Sequence, residues 1–187
     1  MKKKNIFLMV IGILLTPIIL QAAENYKLPD TGITKCYDDK VEITCPAKGK
    51  TYYGQDAQYH GPVMAYRDNN DGTVSDLNTR LMWQQSDDGE ERNWQQACDY
   101  CADLDLAGYS DWRIPTKFEL YSIVDLGRYI PSINTDYFLD CKDSMYWSGS
   151  TGAGGGANAW GVDFGGGGVY DGYKTIGFPV RCVRLGP

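Results

Sequence analysis

The sequence predicts an α+β domain with two helices, a mainly antiparallel, twisted sheet and long Gly-rich loops. Three observations predict it. Two capping-box signatures each open a stretch with apolar residues at helical spacing. Short runs rich in β-branched and aromatic residues lie before and after those stretches, and glycine clusters punctuate the later runs.

Of the 187 residues, the first 23 are set apart from the fold. Lys2, Lys3 and Lys4 precede an apolar run at 6–20, and the small residues Ala22 and Ala23 follow. That is the layout of a secretory signal peptide, and Pro17 within so short a core argues against a membrane span. Residues 24–62 read as an irregular extension. They are polar and turn-rich, and Cys36 and Cys45 are near enough in sequence to staple them. Closing a loop of about ten residues contributes roughly 2.7 kcal/mol in the chain-entropy model.

Regular signals fill 63–187. Residues 63–67 read as a strand, Asn69-Asn70-Asp71-Gly72 as a turn, and 73–75 and 81–83 as further strands. Asn93 with Gln96 predicts a helix start, and Ala97, Cys101 and Leu104 make its apolar stripe. Pro115, Thr116 and Glu119 open a second helix carrying Phe118, Tyr121, Ile123 and Val124, with Gly127 as its left-handed stop. Strands are then predicted at 145–147, at 160–164 and at 178–183.

The chain carries a net charge of −6, which becomes −9 without the leading three lysines. Such a body is repelled by nucleic acids and anionic membrane surfaces, and no basic cluster follows residue 23 to offset this. A single histidine, His60, excludes a site built on several imidazoles. Residues 67–72 invite a calcium-loop reading, but its first ligand position would be Arg67 and no Glu stands at the twelfth, so a hairpin explains them better. Cys98-Asp99-Tyr100-Cys101 has redox spacing. Asp99 opposes thiolate formation, however, and structural disulfides are the preferred reading for six cysteines behind an export signal. The glycines at 154–156 and 165–168 lie between strands and read as hairpin turns free to face a ligand, not as a phosphate cradle. No nucleophile–base pair assembles, and no catalytic residue, metal or cofactor is expected. Five Trp and 14 Tyr supply core, and any exposed ones suit stacking on sugar rings.

Several segments together resemble the Lcl C-terminal domain family. Residues 68–76 with Leu81-Met82-Trp83-Gln84 are similar to its opening, and Leu106-Ala107-Gly108-Tyr109-Ser110-Asp111-Trp112-Arg113-Ile114-Pro115-Thr116 with Glu119-Leu120 to its central signature. Tyr146-Trp147-Ser148, Val162-Asp163-Phe164, Gly168-Val169 and Val180-Arg181-Cys182-Val183-Arg184 are similar to its closing strands. The resemblance runs from about Tyr66 to Arg184. It implies a C-type-lectin-like fold, export from a bacterial cell, and binding in place of catalysis; the named member is an adhesin that recognises sulfated glycosaminoglycans and forms trimers.

The chain departs from that pattern. It has no Gly-X-Y tract to impose trimers, and Arg80 stands where the family commonly has Gly. Its acidity suits a sulfated polymer only if Arg128, Lys142, Lys174, Arg181 and Arg184 gather on one face. The lectin-like analogy implies a Cys101–Cys182 disulfide and then Cys98–Cys141, with Cys98–Cys182 as the swapped alternative. The Glu-Pro-Asn and Trp-Asn-Asp motifs of calcium-dependent sugar sites are absent.

The expectation is therefore an exported, non-enzymatic binding or adhesion module found in the periplasm, on the cell surface or secreted. It would recognise a glycan or a protein surface through residues 149–174, with Trp160, Tyr170, Tyr173 and Lys174 as candidate contacts. The alternatives are an envelope structural protein with a protein partner and, through the shared fold, an oxidase resembling the formylglycine-generating enzyme.

Overall fold

The computed structural model describes residues 29–154 and 156–187, so the signal peptide expected at 1–23 lies outside the described residues. The chain is α+β. A small hairpin, β1 (Cys36–Tyr37) and β2 (Glu42–Ile43), is followed by β3 (Tyr66–Asp68), β4 (Thr73–Asp76), β5 (Leu81–Gln84), α1 (Trp94–Ala102) and α2 (Lys117–Tyr121). Then come β6 (Met145–Thr151), β7 (Asn158–Asp163), β8 (Gly168–Tyr173) and β9 (Val183–Leu185). The larger sheets run β3-β4-β5-β9 and β6-β7-β8, antiparallel throughout.

Local chemistry sets the element ends. The β3–β4 turn has Asn70 at φ 57° and Gly72 at φ 86°, left-handed positions that Asn and Gly tolerate. Its carboxylates serve the turn itself: Asp68 accepts from the Asn70 N–H at 2.7 Å and Asp71 from the Thr73 N–H at 3.0 Å. Arg80 has φ 60°, so the second turn keeps the left-handed conformation that glycine favours. Both capping boxes form. Asn93 accepts from the Gln96 N–H at 2.9 Å while Gln96 accepts from the Asn93 N–H at 3.1 Å. Thr116 and Glu119 reciprocate at 3.2 and 2.8 Å. Arg113 grips the same Glu119 with two bonds of 2.9 and 2.7 Å, fixing the start of α2.

Three sequence expectations need correction here. The second helix is one short turn and stops at Ser122, whose hydroxyl donates to the Glu119 carbonyl at 2.7 Å. Ile123 and Val124 are buried, as is Leu120, but Phe118 is 73% exposed and Tyr121 also lies outside. Gly127 is not a helix stop. A Cβ there would press into the backbone carbonyl oxygen of Gly32. The extension is thus docked on the domain at this point, where the Leu126 N–H also donates to the Thr31 carbonyl at 2.7 Å. The strand expected at 178–183 becomes regular only at Val183, because Pro179 offers no N–H to a ladder.

The side chains of β6-β7-β8 alternate between two cores. Tyr146 and Val162 join Leu120, Ile123, Ile133 and Phe138 on one side, whereas Trp147 and Ala159 join Cys101, Trp112 and Cys182 on the other. At the seam lies Arg181, with no exposed side-chain surface. Its guanidinium donates to the carbonyls of Gln84 (2.9 Å), Gln85 and Leu139 (3.0 Å) and to the carboxylate of Asp87 (3.1 Å). Asp87 also accepts from the Tyr146 hydroxyl at 2.6 Å. Burial and the Asp87 charge hold that phenol well above its ordinary pKa, so it remains a donor.

Removing one partner of a buried pair strands the other. Asp87→Ala is expected to lower stability by about 3–5 kcal/mol in denaturant melts, and Asp87→Ala with Arg181→Met by less than the sum of the single changes. Gly127→Ala is expected to free the extension while the domain stays folded, read as faster tryptic cleavage near Lys35, Lys40 and Lys48 with an unchanged far-UV spectrum.

Candidate functional site

The end of the three-stranded sheet carries the candidate site. In the β7–β8 ladder Asn158 lies opposite Tyr173 and Trp160 opposite Asp171. Directly opposed residues of an antiparallel pair point to the same face, so these four side chains share one side of the sheet. The connection between β6 and β7 folds over them, held by Gly152 N–H to the Asn158 carbonyl at 2.9 Å and Lys174 N–H to the Ala157 carbonyl at 2.9 Å. Together they line a hollow of about 390 Å³.

Within it, the Asn158 side-chain amide donates to Asp171 at 2.7 Å, leaving the other amide hydrogen and the second carboxylate oxygen for a ligand. Tyr173 is 63% exposed, and Trp160 is half-buried. The Lys117 ammonium sits 4.2 Å from the centre of the Trp160 ring and fixes it from α2. A second hollow of about 310 Å³, between α2 and the extension, is bounded by Phe118, Tyr121, Val124 and Leu126 and is almost wholly apolar.

Of the four expected contacts, the structure brings together Trp160 and Tyr173 but separates Tyr170 and Lys174 from them. Tyr170 is opposite Gly161 on the other face, and its ring covers Gly168. The Lys174 ammonium lies 4.1 Å from the centre of the Trp94 ring, and its backbone carbonyl accepts from the Trp94 N–H at 3.0 Å. Asn158 and Asp171 escaped the sequence reading, although the two-residue period that linked Trp160 to Val162 also places Asn158 beside Trp160.

The five cations that a sulfated ligand would need on one face are dispersed and engaged. Arg128 pairs with Asp125 and Asp136, and Lys142 donates to the Gly89 carbonyl. Arg181 is buried, and Arg184 pairs with Asp111 at 2.6 Å while stacking on Tyr109.

The sulfur chemistry is partly as expected. Cys36–Cys45 and Cys101–Cys182 are disulfides. Cys98–Cys141 is not formed: both thiols are free. They lie in different surroundings, Cys98 beside Asp99 and Lys174, and Cys141 beside Arg181, Tyr146 and Asp87. A bridge needs Cβ atoms within about 4.5 Å, which would give the two sulfurs common neighbours. Burial pushes both thiols above their ordinary pKa; Asp99 adds to this at Cys98, while Arg181 opposes it at Cys141. Among the described residues no three His, Cys, Asp or Glu side chains form a group that could hold a metal ion.

The model of one protein family, described as Lcl C-terminal domain, matches residues 72–184, well over half of the chain. No curated protein matches it.

Peptide mapping without reduction is expected to find the 36–45 and 101–182 links and two unmodified thiols. Alkylation at neutral pH should label Cys98 before Cys141, and both more slowly than an unhindered thiol. A 98–182 link would refute the pairing.

Proposed function

The chain belongs to the Lcl C-terminal domain family, and we propose that it is an exported, non-enzymatic adhesion module of C-type-lectin-like fold whose ligand is a carbohydrate. The observation that carries this reading is the β7–β8 hollow, where two aromatic side chains and an amide–carboxylate pair converge on one small concavity. Aromatic rings cover the apolar C–H face of a sugar, and a fixed amide and carboxylate take its hydroxyls; sites of this kind combine an apolar wall with a few placed polar groups.

Export is supported by the layout of residues 1–23 and by two disulfides, which persist in oxidising compartments. No helix among the described residues is long and apolar enough to cross a membrane. The lectin-like fold is supported by the Cys101–Cys182 bridge, which ties α1 to the residue preceding β9. A non-catalytic role is supported by the two thiols, which stand apart and are held protonated, the opposite of what a thiol oxidase needs.

Screening the purified protein on a broad glycan array tests the proposal. We expect binding to at least one class of carbohydrate, weakened about tenfold or more by Tyr173→Ala and unchanged by Tyr170→Ala. An array blank for every carbohydrate removes the reading.

A further inference from the structure

We infer that the β7–β8 hollow takes an uncharged saccharide and does not accept sulfated or other polyanionic glycans. This rests on reading the hollow as a carbohydrate site, and it is carried by where the charges lie.

Residues 63–187 hold 10 Lys and Arg against 18 Asp and Glu, a balance of −8. A polyanion must therefore find a local cationic patch to overcome the field of the whole body. Most of the cations in residues 63–187 are committed to the framework. Arg92 is paired with Asp88 at 2.6 Å and Arg113 with Glu119 at 2.7 Å. Arg128, Arg181 and Arg184 hold carboxylates of their own, and the Lys174 ammonium lies on Trp94, on the face away from Tyr173.

At the hollow, the one charged group among Asn158, Trp160, Asp171 and Tyr173 is the carboxylate of Asp171. The Lys117 ammonium is held against the Trp160 ring. A sulfate brought beside Asp171 meets a like charge, and the repulsion grows as the site dries. A sugar hydroxyl gains there instead, because a carboxylate is a strong acceptor and the free Asn158 amide hydrogen donates to a neighbouring hydroxyl oxygen. The hollow's 390 Å³ is at the small end for ligand sites, suited to one terminal ring and not to a polymer lying along a groove.

The test compares two sets of probes at near-physiological salt. One set is immobilised uncharged oligosaccharides ending in galactose, mannose or N-acetylglucosamine; the other is heparin and chondroitin sulfate. We expect binding within the uncharged set alone, lowered about tenfold by Tyr173→Ala and about fivefold by Asp171→Asn. Both side chains are exposed, and an unchanged melting curve confirms that each variant folds. Salt-sensitive retention on heparin with the uncharged set blank overturns the ligand class and leaves the carbohydrate reading standing. Both sets blank removes that reading itself. Uncharged binding that Tyr173→Ala and Asp171→Asn do not change places the ligand elsewhere and overturns the site.

Discussion

A guanidinium with no exposed surface is the constraint around which this fold is arranged. Arg181 ties together two segments: the stretch 84–87 at the end of β5, through the Gln84 and Gln85 carbonyls and the Asp87 carboxylate, and the loop at Leu139, which also pairs with that stretch through its backbone. Through Asp87 it also fixes the hydroxyl of Tyr146, and so β6. A buried cation is costly unless it is paired and hydrogen-bonded, and here four bonds meet the two terminal nitrogens of Arg181 while its buried Nε has no partner. That cost makes the arrangement selective, since few other placements of these loops would offer three carbonyls and a carboxylate at once. Next along the chain, Cys182 is bonded to Cys101 of α1, so one dipeptide joins the two sheets ionically and the helix covalently.

The consequences reach the candidate site through β6. With Tyr146 held on one side and Trp147 packed on the other, β6 has no freedom to slip, and a slip of one residue would exchange its faces. Gly161 then lets β7 approach: a Cβ there would collide with the Tyr146 carbonyl oxygen. The β7–β8 ladder inherits that register, which brings Trp160 opposite Asp171 and Asn158 opposite Tyr173. These four candidate residues need no loop of their own to position them. They are the outermost rungs of a sheet whose inner rungs are pinned by both cores.

Much of this was legible in the sequence, and the failures have specific causes. Asn93 with Gln96 and Thr116 with Glu119 marked both helix starts, because a capping box is a contact between residues three apart and needs no tertiary information. The end of α2 was not legible. Gly127 looks like a stop signal, but its missing side chain serves a contact with Gly32, far away in sequence. Cys36–Cys45 followed from proximity, and Cys101–Cys182 from the family resemblance. Cys98–Cys141 was the remainder and had no contact behind it. Arg181 was grouped with surface cations. Its apolar neighbours Val180, Cys182 and Val183, all buried, were the available hint that this stretch lies inside. Tyr170 and Tyr173 were taken together for their aromatic character, yet three residues along a strand reverse the face.

Recognition and stability draw on different chemistry here, and this follows from how the cations are used. Most of the domain's arginines and lysines are held by carboxylates, carbonyls or aromatic rings within the molecule. Arg113 clamps the entry to α2, Arg184 joins β9 to Asp111, and Lys117 braces Trp160. A cation that already holds the framework cannot also release its partner to a ligand without weakening the fold. An acidic domain built this way has little positive charge left over, so the proposed carbohydrate contact falls to aromatic faces, amides, hydroxyls and the remaining carboxylates. Those groups are what the end of the β7–β8 ladder displays, on a sheet held rigid from beneath by a buried arginine.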